Sequence, residues 1–360
     1  MKRMLAVACF LALPMPAQQY KIAIVSGLHA HVWAPLKLAL KGDQVKFSGF
    51  AETLPELVAQ ARKTGVPDNL IFADYRKMIE ETKPDMVWAF TETYRHLEVV
   101  QYCAPRGIHV IVEKPLAATY KQALEIQKLA RRHNIHVLTN YGSTWQASNY
   151  AVKAAVDAGA IGPVYRLRAV VGHGGPGDPQ KSSFVAWLAD PVKNGGGALV
   201  DFGCYSILWS LWLKGRPERV YTSVLHLKPE LYPKVEYNAT IILNYSDGVA
   251  IFEASWDLPP RPPSGNEIFG RNGSIVMGRP IELRKAGRGG GQAQPEQIKV
   301  EPLPPERSGA IAYLVNRLST KQPLEGMTTL DINVQVQEVL EAAKMSVKTG
   351  QAVRLPLKAR

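Results

Sequence analysis

The sequence is poor in cysteine, with Cys9, Cys103 and Cys204 as the three in 360 residues. So few cysteines do not make the disulfide framework of a small secreted domain. Low-complexity tracts are also missing, and a composition of 46% hydrophobic and 21% charged residues is that of a globular protein. A chain of this length can bury a large core, either as two domains of ordinary size or as one large domain.

Long apolar segments and long basic runs are missing too. Beyond residue 17 no stretch is long and apolar enough to predict a transmembrane helix, so we expect no membrane partner. The net charge of +12 is compatible with nucleic-acid binding, but the cations are scattered, and the densest patch, residues 284–289, lies in a Gly-rich loop. We therefore expect no nucleic-acid partner, and a charge that favours solubility and attracts anionic small molecules.

Residues 1–17 have the pattern of a secretory signal peptide. Lys2 and Arg3 precede an apolar stretch, 5–13, that is too short to span a bilayer, and residues 14–17 end in a small residue suited to cleavage. The pattern predicts a periplasmic or secreted protein. The alternative is an uncleaved N-terminal extension of a cytoplasmic protein.

Strands and helices alternate from residue 20 to residue 140. Such alternation predicts an α/β domain of the Rossmann type, a doubly wound parallel sheet, as a dinucleotide-binding domain over 20–140. The predicted strands are 20–25, 45–52, 70–72, 86–90, 110–113 and 136–139, and the predicted helices are 54–63, 75–82, 97–105 and 121–133.

From residue 141 the pattern changes to longer strands with fewer helices. This predicts an α+β substrate-binding domain over 141–360, built on a largely antiparallel open sheet. The predicted strands are 164–171, 219–226, 239–245 and 249–256, and the predicted helices are 148–158, 199–213 and 330–346.

The first strand and helix enclose the turn at which a Rossmann fold binds phosphate. Of the usual glycines only Gly27 is present, and Ser26, Leu28 and His29 complete the predicted cofactor contacts. Glu52, at the end of the second strand, lies where an acidic side chain accepts from the ribose 2′-OH, which favours NAD over NADP. An ordinary βα turn and a helix-starting acid are the alternatives.

The β-branched run Val110–Val112 ends abruptly in Glu113, Lys114 and Pro115. Since proline cannot donate to a sheet ladder, the strand must stop there, with Glu113 and Lys114 at its carboxyl end. Ligands bind at that edge of open α/β sheets, although a charge pair facing water is an equally simple interpretation.

Four segments together resemble the glucose–fructose oxidoreductase / inositol dehydrogenase (Gfo/Idh/MocA) family of NAD(P)-dependent oxidoreductases. They are Thr91–His96, Glu113-Lys114-Pro115-Leu116, the GxIGxV step at 159–164 and the GGGxLxDxGxY signature at 195–205. The chain departs from the family at four places. Most of the turn glycines are missing, Glu92 stands where the family usually has proline, Trp145 stands in a region where an arginine is usual, and Tyr205 replaces the commoner histidine.

The resemblance implies hydride transfer between a nicotinamide and a carbinol of a sugar, sugar derivative or polyol. Tyr205 would be the acid/base, Lys114 would lower its pKa, and Asp201 would orient Lys114 or bind a substrate hydroxyl. Without the resemblance, Asp201 reads as a helix cap and Tyr205 as a core residue. Further predicted cofactor contacts are Thr91, His96, Glu113 and Lys114.

The substrate contacts are predicted from aromatic and loop residues. Tyr141, Trp145 and Trp187 could stack on a pyranose face, although each could equally be a core residue, and His173 could donate from its Gly-rich loop. We predict no metal site. Because free NAD is scarce outside the cytoplasm, an exported enzyme would hold the cofactor tightly, and we expect homo-oligomers formed through the C-terminal sheet.

Two other functions start from the same residues. One is an NAD-dependent glycosidase, in which transient oxidation at C3 of a sugar permits elimination of the leaving group. The other is a non-catalytic binding protein with a decayed cofactor site, which the missing glycines allow but the presence of Lys114, Asp201 and Tyr205 argues against.

Overall fold

A computed structural model describes residues 19–258, 266–285 and 294–358. The predicted signal peptide, residues 1–17, lies outside the described residues, and so does most of the Gly-rich basic patch. Within the described ranges, no helix combines the length and the apolar character needed to cross a bilayer.

The first sheet has six parallel strands in the order β3-β2-β1-β4-β5-β6, as predicted for a doubly wound fold. Its strands are β1 (Lys21–Val25), β2 (Lys46–Ala51), β3 (Ile71–Phe72), β4 (Met86–Ala89), β5 (His109–Glu113) and β6 (Val137–Asn140). Its helices are α1 (Trp33–Lys41), α2 (Pro55–Thr64), α3 (Tyr75–Thr82), α4 (His96–Cys103) and α5 (Tyr120–Arg132). The strand order reverses between β1 and β4, and a crevice for ligands forms at such a point.

The strands of this sheet are buried on both faces, which explains their β-branched sequences. Ile22, Ala23 and Ile24 of β1 are fully buried, and so are all three residues of the run Val110–Val112 in β5. Parallel strands covered by helices on both sides need such continuous apolar runs. The parallel sheet predicted from the alternation of strands and helices is therefore confirmed.

The second sheet has nine strands in the order β14-β13-β12-β11-β7-β10-β9-β8-β15. All pairs are antiparallel except β7 with β10, so the predicted largely antiparallel sheet is confirmed. The strands are β7 (Val164–Gly172), β8 (Arg219–Leu225), β9 (Asn238–Tyr245), β10 (Gly248–Ser255), β11 (Asn266–Gly270), β12 (Gly273–Met277), β13 (Ile281–Lys285), β14 (Glu296–Gln297) and β15 (Val353–Arg354). The helices of this part are α6 (Ala147–Asp157), α7 (Ser183–Leu188), α8 (Ala198–Asp201), α9 (Gly203–Lys214), α10 (Ala310–Thr320) and α11 (Leu330–Thr349).

The last two helices pack back against the first sheet. Ile311, Tyr313 and Leu314 of α10 share a core with Ile24 and Ile111 of the parallel sheet. Helix α11 contacts α5 of the first domain as well as α9 and β8 of the second. The C-terminal chain therefore fixes the two sheets relative to each other.

The predicted helix 199–213 is wrong in one respect, because it is two helices, α8 and α9, interrupted at Phe202. The glycines before it let the backbone approach both domains closely. Gly195 has a left-handed φ of +94°, and a Cβ there would lie 2.4 Å from the carbonyl oxygen of Ala118. A Cβ at Gly197 would lie 2.1 Å from the carbonyl oxygen of Glu236.

A partly buried carboxylate holds the start of α8 on the second sheet. Oε1 of Glu236 accepts from the backbone N–H groups of Gly197 (2.8 Å) and Leu199 (2.9 Å). Burial raises the pKa of Glu236, against these hydrogen bonds. The position of α8, and of Asp201 at its end, therefore depends on this glycine segment.

We expect Gly197→Ala to destabilise the protein, because the added methyl group would overlap the Glu236 carbonyl. Overpacking of this kind costs about 1–3 kcal/mol, measured as a lower free energy of unfolding in urea. Gly309→Ala is the matched control, since its Cβ would meet nothing within 4 Å and its φ of 166° is extended backbone. An equal loss in both variants would contradict this account of the glycine segment.

Candidate active site

The glycine segment brings α8 and α9 to the carboxyl edge of the parallel sheet. The backbone N–H of Tyr94, just beyond β4, donates to the carbonyl of Lys193 (2.9 Å), and Oγ1 of Thr93 donates to Oδ1 of Asn194 (3.2 Å). These contacts dock the segment 193–197 beside the end of β5. Lys114 and Asp201, from the two domains, meet there.

Lys114 and Asp201 form a buried ion pair. Nζ of Lys114 donates to Oδ1 and, at 3.0 Å, to the carbonyl oxygen of Asp201, and both residues are only 6% exposed. Nε1 of Trp256 donates to Oδ2 of Asp201 at 2.8 Å. Burial opposes both charges, but each charge stabilises the other, so the pKa of Asp201 is lowered and that of Lys114 is raised.

Tyr205 lies beside this pair. Its ring centroid is 5.2 Å from Nζ of Lys114, and Tyr141 packs edge-on against it at 5.3 Å. We expected Lys114 to lower the pKa of Tyr205, but the shift has the opposite sign. Burial raises the pKa of Tyr205 and outweighs the attraction of Lys114, whose charge Asp201 opposes. The phenol is therefore protonated near neutral pH.

Tyr205 also lines a cavity of about 1020 Å³ between α6, α9 and the strands β11–β13. Its polar lining includes Ser143, Gln146, Asn149 and Arg279. A protonated phenol thus stands at the wall of a space large enough for a small polar molecule.

The turn after β1 is held by hydrogen bonds within the chain. Ser26 adopts a left-handed φ of +70°, and its Oγ donates to Oε2 of Glu52 at 3.0 Å. The same Oε2 accepts from the N–H of Gly27 (2.7 Å), while the N–H of Leu28 donates to Oγ of Ser26 (3.1 Å) and that of His29 to the carbonyl of Phe90 (2.9 Å). The carboxylate and the N–H groups of this turn therefore already have partners.

His29, His31 and Glu113 meet between this turn and the end of β5. One ligand atom from each lies within 4.8 Å of the others, and Nδ1 of His31 donates to Oε2 of Glu113 at 3.0 Å. Burial lowers the pKa of His29 well below its usual value, assisted by repulsion from His31, Lys114 and His96. The sequence predicts no metal site, and these three side chains are a group whose ligand atoms could surround a metal ion.

His96 and Thr91 lie buried at the same edge. Nδ1 of His96 donates to the carbonyl of Leu116 (3.2 Å), and Oγ1 of Thr91 donates to the carbonyl of Glu92 (3.1 Å). Burial lowers the pKa of His96 to about 4, so the ring is neutral. Its Nε2 has no hydrogen-bond partner within the described ranges, and such an orphaned buried atom fits an edge that takes a bound molecule.

The four predicted substrate contacts fall into two groups. His173 lies in its loop, 5.0 Å edge-on from Phe202 and close enough to Asp201 to lower its pKa. Tyr141 and Trp187 are buried, and Trp145 packs against Tyr313, so these rings contact other parts of the core. Sequence reasoning missed Trp256 and Glu236, which have no local signal because their partners lie about 40 to 55 residues away.

Comparison with protein-family models gives two matches from one family. Residues 29–141 match the oxidoreductase family with an NAD-binding Rossmann fold, and residues 150–276 match the C-terminal domain of the same Gfo/Idh/MocA family. Together the two matches cover about two thirds of the chain.

Curated relatives are distant and match part of the chain. A dTDP-3,4-didehydro-2,6-dideoxy-alpha-D-glucose 3-reductase from Streptomyces violaceoruber is 26% identical over 205 residues, 57% of either chain. The levoglucosan dehydrogenase of Pseudarthrobacter phenanthrenivorans is 28% identical over 166 residues, 46% of this chain and 42% of the relative. The chain spans about half the length of the curated relatives it matches.

Solved structures show the same fold over nearly the whole chain. An aldose-aldose oxidoreductase from Caulobacter crescentus, complexed with glycerol, has a TM-score of 0.76 at 21% identity, covering 94% of this chain and 100% of that one. A levoglucosan dehydrogenase in complex with NADH and levoglucosan has a TM-score of 0.75 at 20% identity, with the same coverage.

We expect Asp201→Ala to destabilise the protein strongly, because it leaves the ammonium of Lys114 buried without its carboxylate. Breaking a buried pair in this way costs about 3–5 kcal/mol, whereas the double variant Lys114→Met/Asp201→Ala should recover part of that loss. Urea unfolding of both variants measures the difference.

Glu81→Ala is the control for this pair, because Lys77 and Glu81 form an exposed pair on α3. It should change the unfolding midpoint little. If the double variant were less stable than Asp201→Ala, the ion pair would not be the source of the loss.

Proposed function

Because the chain belongs to the Gfo/Idh/MocA family of oxidoreductases, which has an NAD-binding Rossmann domain, we propose that it is an NAD-dependent dehydrogenase or reductase. Its substrate would be a sugar, sugar derivative or polyol, oxidised or reduced at a carbinol carbon. The observation that carries the proposal is the meeting of Lys114, Asp201 and Tyr205 at the sheet edge where such folds bind ligands. The names of the curated relatives support the substrate class.

The cofactor would lie along the carboxyl edge of the parallel sheet. Glu52 stands at the end of β2, where a ribose hydroxyl could exchange for one of its present donors, and Nε2 of His96 offers an unused polar atom. The backbone N–H groups of residues 26–29, His31 and Val32 already donate within the chain, so a bound diphosphate would have to replace some of their present acceptors. NAD supplies the hydride chemistry when it is bound.

The protein side chains would handle the proton and the charge. Tyr205 is protonated, so it is suited to donate to a carbonyl oxygen as negative charge develops there, and to take the proton back in the reverse direction. Lys114, held as an ammonium by Asp201, would stabilise the same oxygen. Asp201 acts through Lys114, and Trp256 fixes its orientation.

The cavity beside Tyr205 is consistent with a carbohydrate-like substrate. Hydroxyl and amide side chains such as Ser143, Gln146 and Asn149 can each donate or accept hydrogen bonds to sugar hydroxyl groups. His173 would approach from the loop after β7. The stacking roles of Tyr141, Trp145 and Trp187 remain predictions, and they would need rearrangement of rings that now contact the core.

We expect Tyr205→Phe to reduce kcat by about 10²- to 10⁴-fold while leaving NAD binding intact, because it removes a proton donor and keeps the ring. NADH formation or consumption with a panel of sugars, sugar acids and polyols measures turnover, and fluorescence titration measures NAD binding. Tyr165→Phe, on the exposed face of β7, is the matched control. Full turnover in Tyr205→Phe would reject its role as the acid.

Two further measurements separate the other candidate functions. Release of an aglycone from an aryl glycoside without net NADH formation would replace this proposal by an NAD-dependent glycosidase. Ultraviolet absorbance of the denatured protein identifies a tightly held NAD or NADP. A protein that neither carries nor binds a dinucleotide would be a binding protein instead.

We further propose that two copies associate through the second sheet. Its face opposite α9 presents neighbouring apolar side chains, with Tyr221 beside Ile242 and Ile242 beside Ile251 across three strands. Tyr221 is 38% exposed, and the two isoleucines are partly exposed. Contiguous apolar surface of this kind is typical of association sites.

We expect Ile242→Lys to convert an oligomer into monomers, because it places a charge in the middle of this face. Light scattering after size-exclusion chromatography measures the mass. Ser223→Lys, at the exposed edge of the same face, is a milder control. A wild-type protein that is monomeric at all concentrations would contradict the proposal.

A further inference from the structure

We propose that His29, His31 and Glu113 form a binding site for one divalent transition-metal ion of the zinc type. The three ligand atoms lie within 4.8 Å of one another, so modest rotations of the side chains would place them around one ion. Two imidazoles and a carboxylate are a ligand set that zinc accepts, with coordination positions left open for water or a bound oxygen.

One ligand–ligand distance is already close to that of a bound ion. Nδ1 of His31 and Oε2 of Glu113 are 3.0 Å apart, and two ligands of a tetrahedral zinc ion are separated by about 3.4 Å for bonds near 2.1 Å. The rings of His29 and His31 are 4.4 Å apart between centroids. A hydrogen bond between His31 and Glu113 needs no third ligand nearby, so the closeness of the His29 ring is the feature that the metal site explains.

Neighbouring groups hold the carboxylate of Glu113 in place. Nδ2 of Asn140 donates to Oε1 of Glu113 at 2.8 Å, and Nε1 of Trp145 donates to Oδ1 of Asn140 at 2.8 Å. This chain of hydrogen bonds fixes the carboxylate and leaves its Oε2 turned to His31. Outer partners of this kind accompany metal ligands in proteins.

The ring of His29 is held by aromatic packing, since Phe184 and Trp187 of α7 pack against it at 5.1 and 5.8 Å. Its Nδ1 accepts from the backbone N–H of His31 (3.3 Å), and an ion would displace this hydrogen bond, because a neutral ring has one acceptor nitrogen. His31 is half exposed, with 52% of its side chain accessible, so an ion can enter from that side. The site therefore has an apolar wall and one open side.

The local sequence offers ligands for a cation here. Glycines in such a turn serve to bring backbone N–H groups to a phosphate. The backbone N–H groups of residues 26–29 instead donate to acceptors within the chain, and the turn carries imidazole side chains. The adjacent cation, Lys114, is opposed by the carboxylate of Asp201, which reduces its repulsion of a bound ion.

The test uses the full-length protein, stripped with a chelator and titrated with Co²⁺, whose visible absorption reports coordination, and then with Zn²⁺ in competition. We expect one ion per chain. His31→Ala and Glu113→Gln should each weaken binding by more than about 100-fold, and Asn140→Ala, which removes only the outer partner, by about 10- to 100-fold.

The control variant is His226→Ala, an exposed histidine beyond β8, which should bind Co²⁺ as the wild type does. Circular dichroism tests whether each variant is folded. Because the side chain of His31 is half exposed, we expect His31→Ala to fold as the wild type does. Absence of a Co²⁺ spectrum in the wild type, or unchanged affinity in His31→Ala, would overturn the proposal. Because the readout is metal binding to the protein without added NAD or sugar, its failure is measured separately from a failure of turnover.

Discussion

The buried contact between Lys114 and Asp201 is the interaction on which the arrangement of the site depends. An ammonium at the end of β5 can be buried only with a carboxylate beside it, and that carboxylate comes from the other domain. Asp201 reaches it because the glycine segment docks against the end of β4 and because Glu236 anchors the start of α8. The burial of one lysine thus requires the correct packing of the two domains.

Burial decides the protonation state of the neighbouring phenol. The ammonium of Lys114 favours the phenolate, and the carboxylate of Asp201 opposes part of that attraction. Burial then dominates, and the pKa of Tyr205 rises. Tyr205, which the family resemblance assigns as acid/base, is therefore a neutral phenol beside the ammonium of Lys114.

Much of the fold could be predicted from the sequence because its signals are local. The run Val110–Val112 and its stop at Pro115 define β5, and alternating patterns define both sheets. The break at Phe202 is followed by Gly203, but one glycine does not by itself end a helix, so the apolar pattern predicts a single helix. Trp256 and α10 were missed as partners of the site and of the first sheet because their contacts are made by tertiary packing.

The turn after β1 shows why position and residue type must be read together. Its place in the chain predicts a phosphate site, although side chains stand where most of the usual glycines would be. In the structure its N–H groups are satisfied internally, and His29 and His31 reach across to Glu113 on β5, which is separated from β1 by β4. The positive field that free N–H groups supply to a phosphate is then reduced at residues 26–29, while three ligands for a cation gather a few ångströms away. A cation held there would restore a positive charge at the same edge of the sheet. In this interpretation a bound cation, instead of free backbone N–H groups, would attract an anion to this edge of the sheet. The edge would still be the side of the fold at which ligands bind.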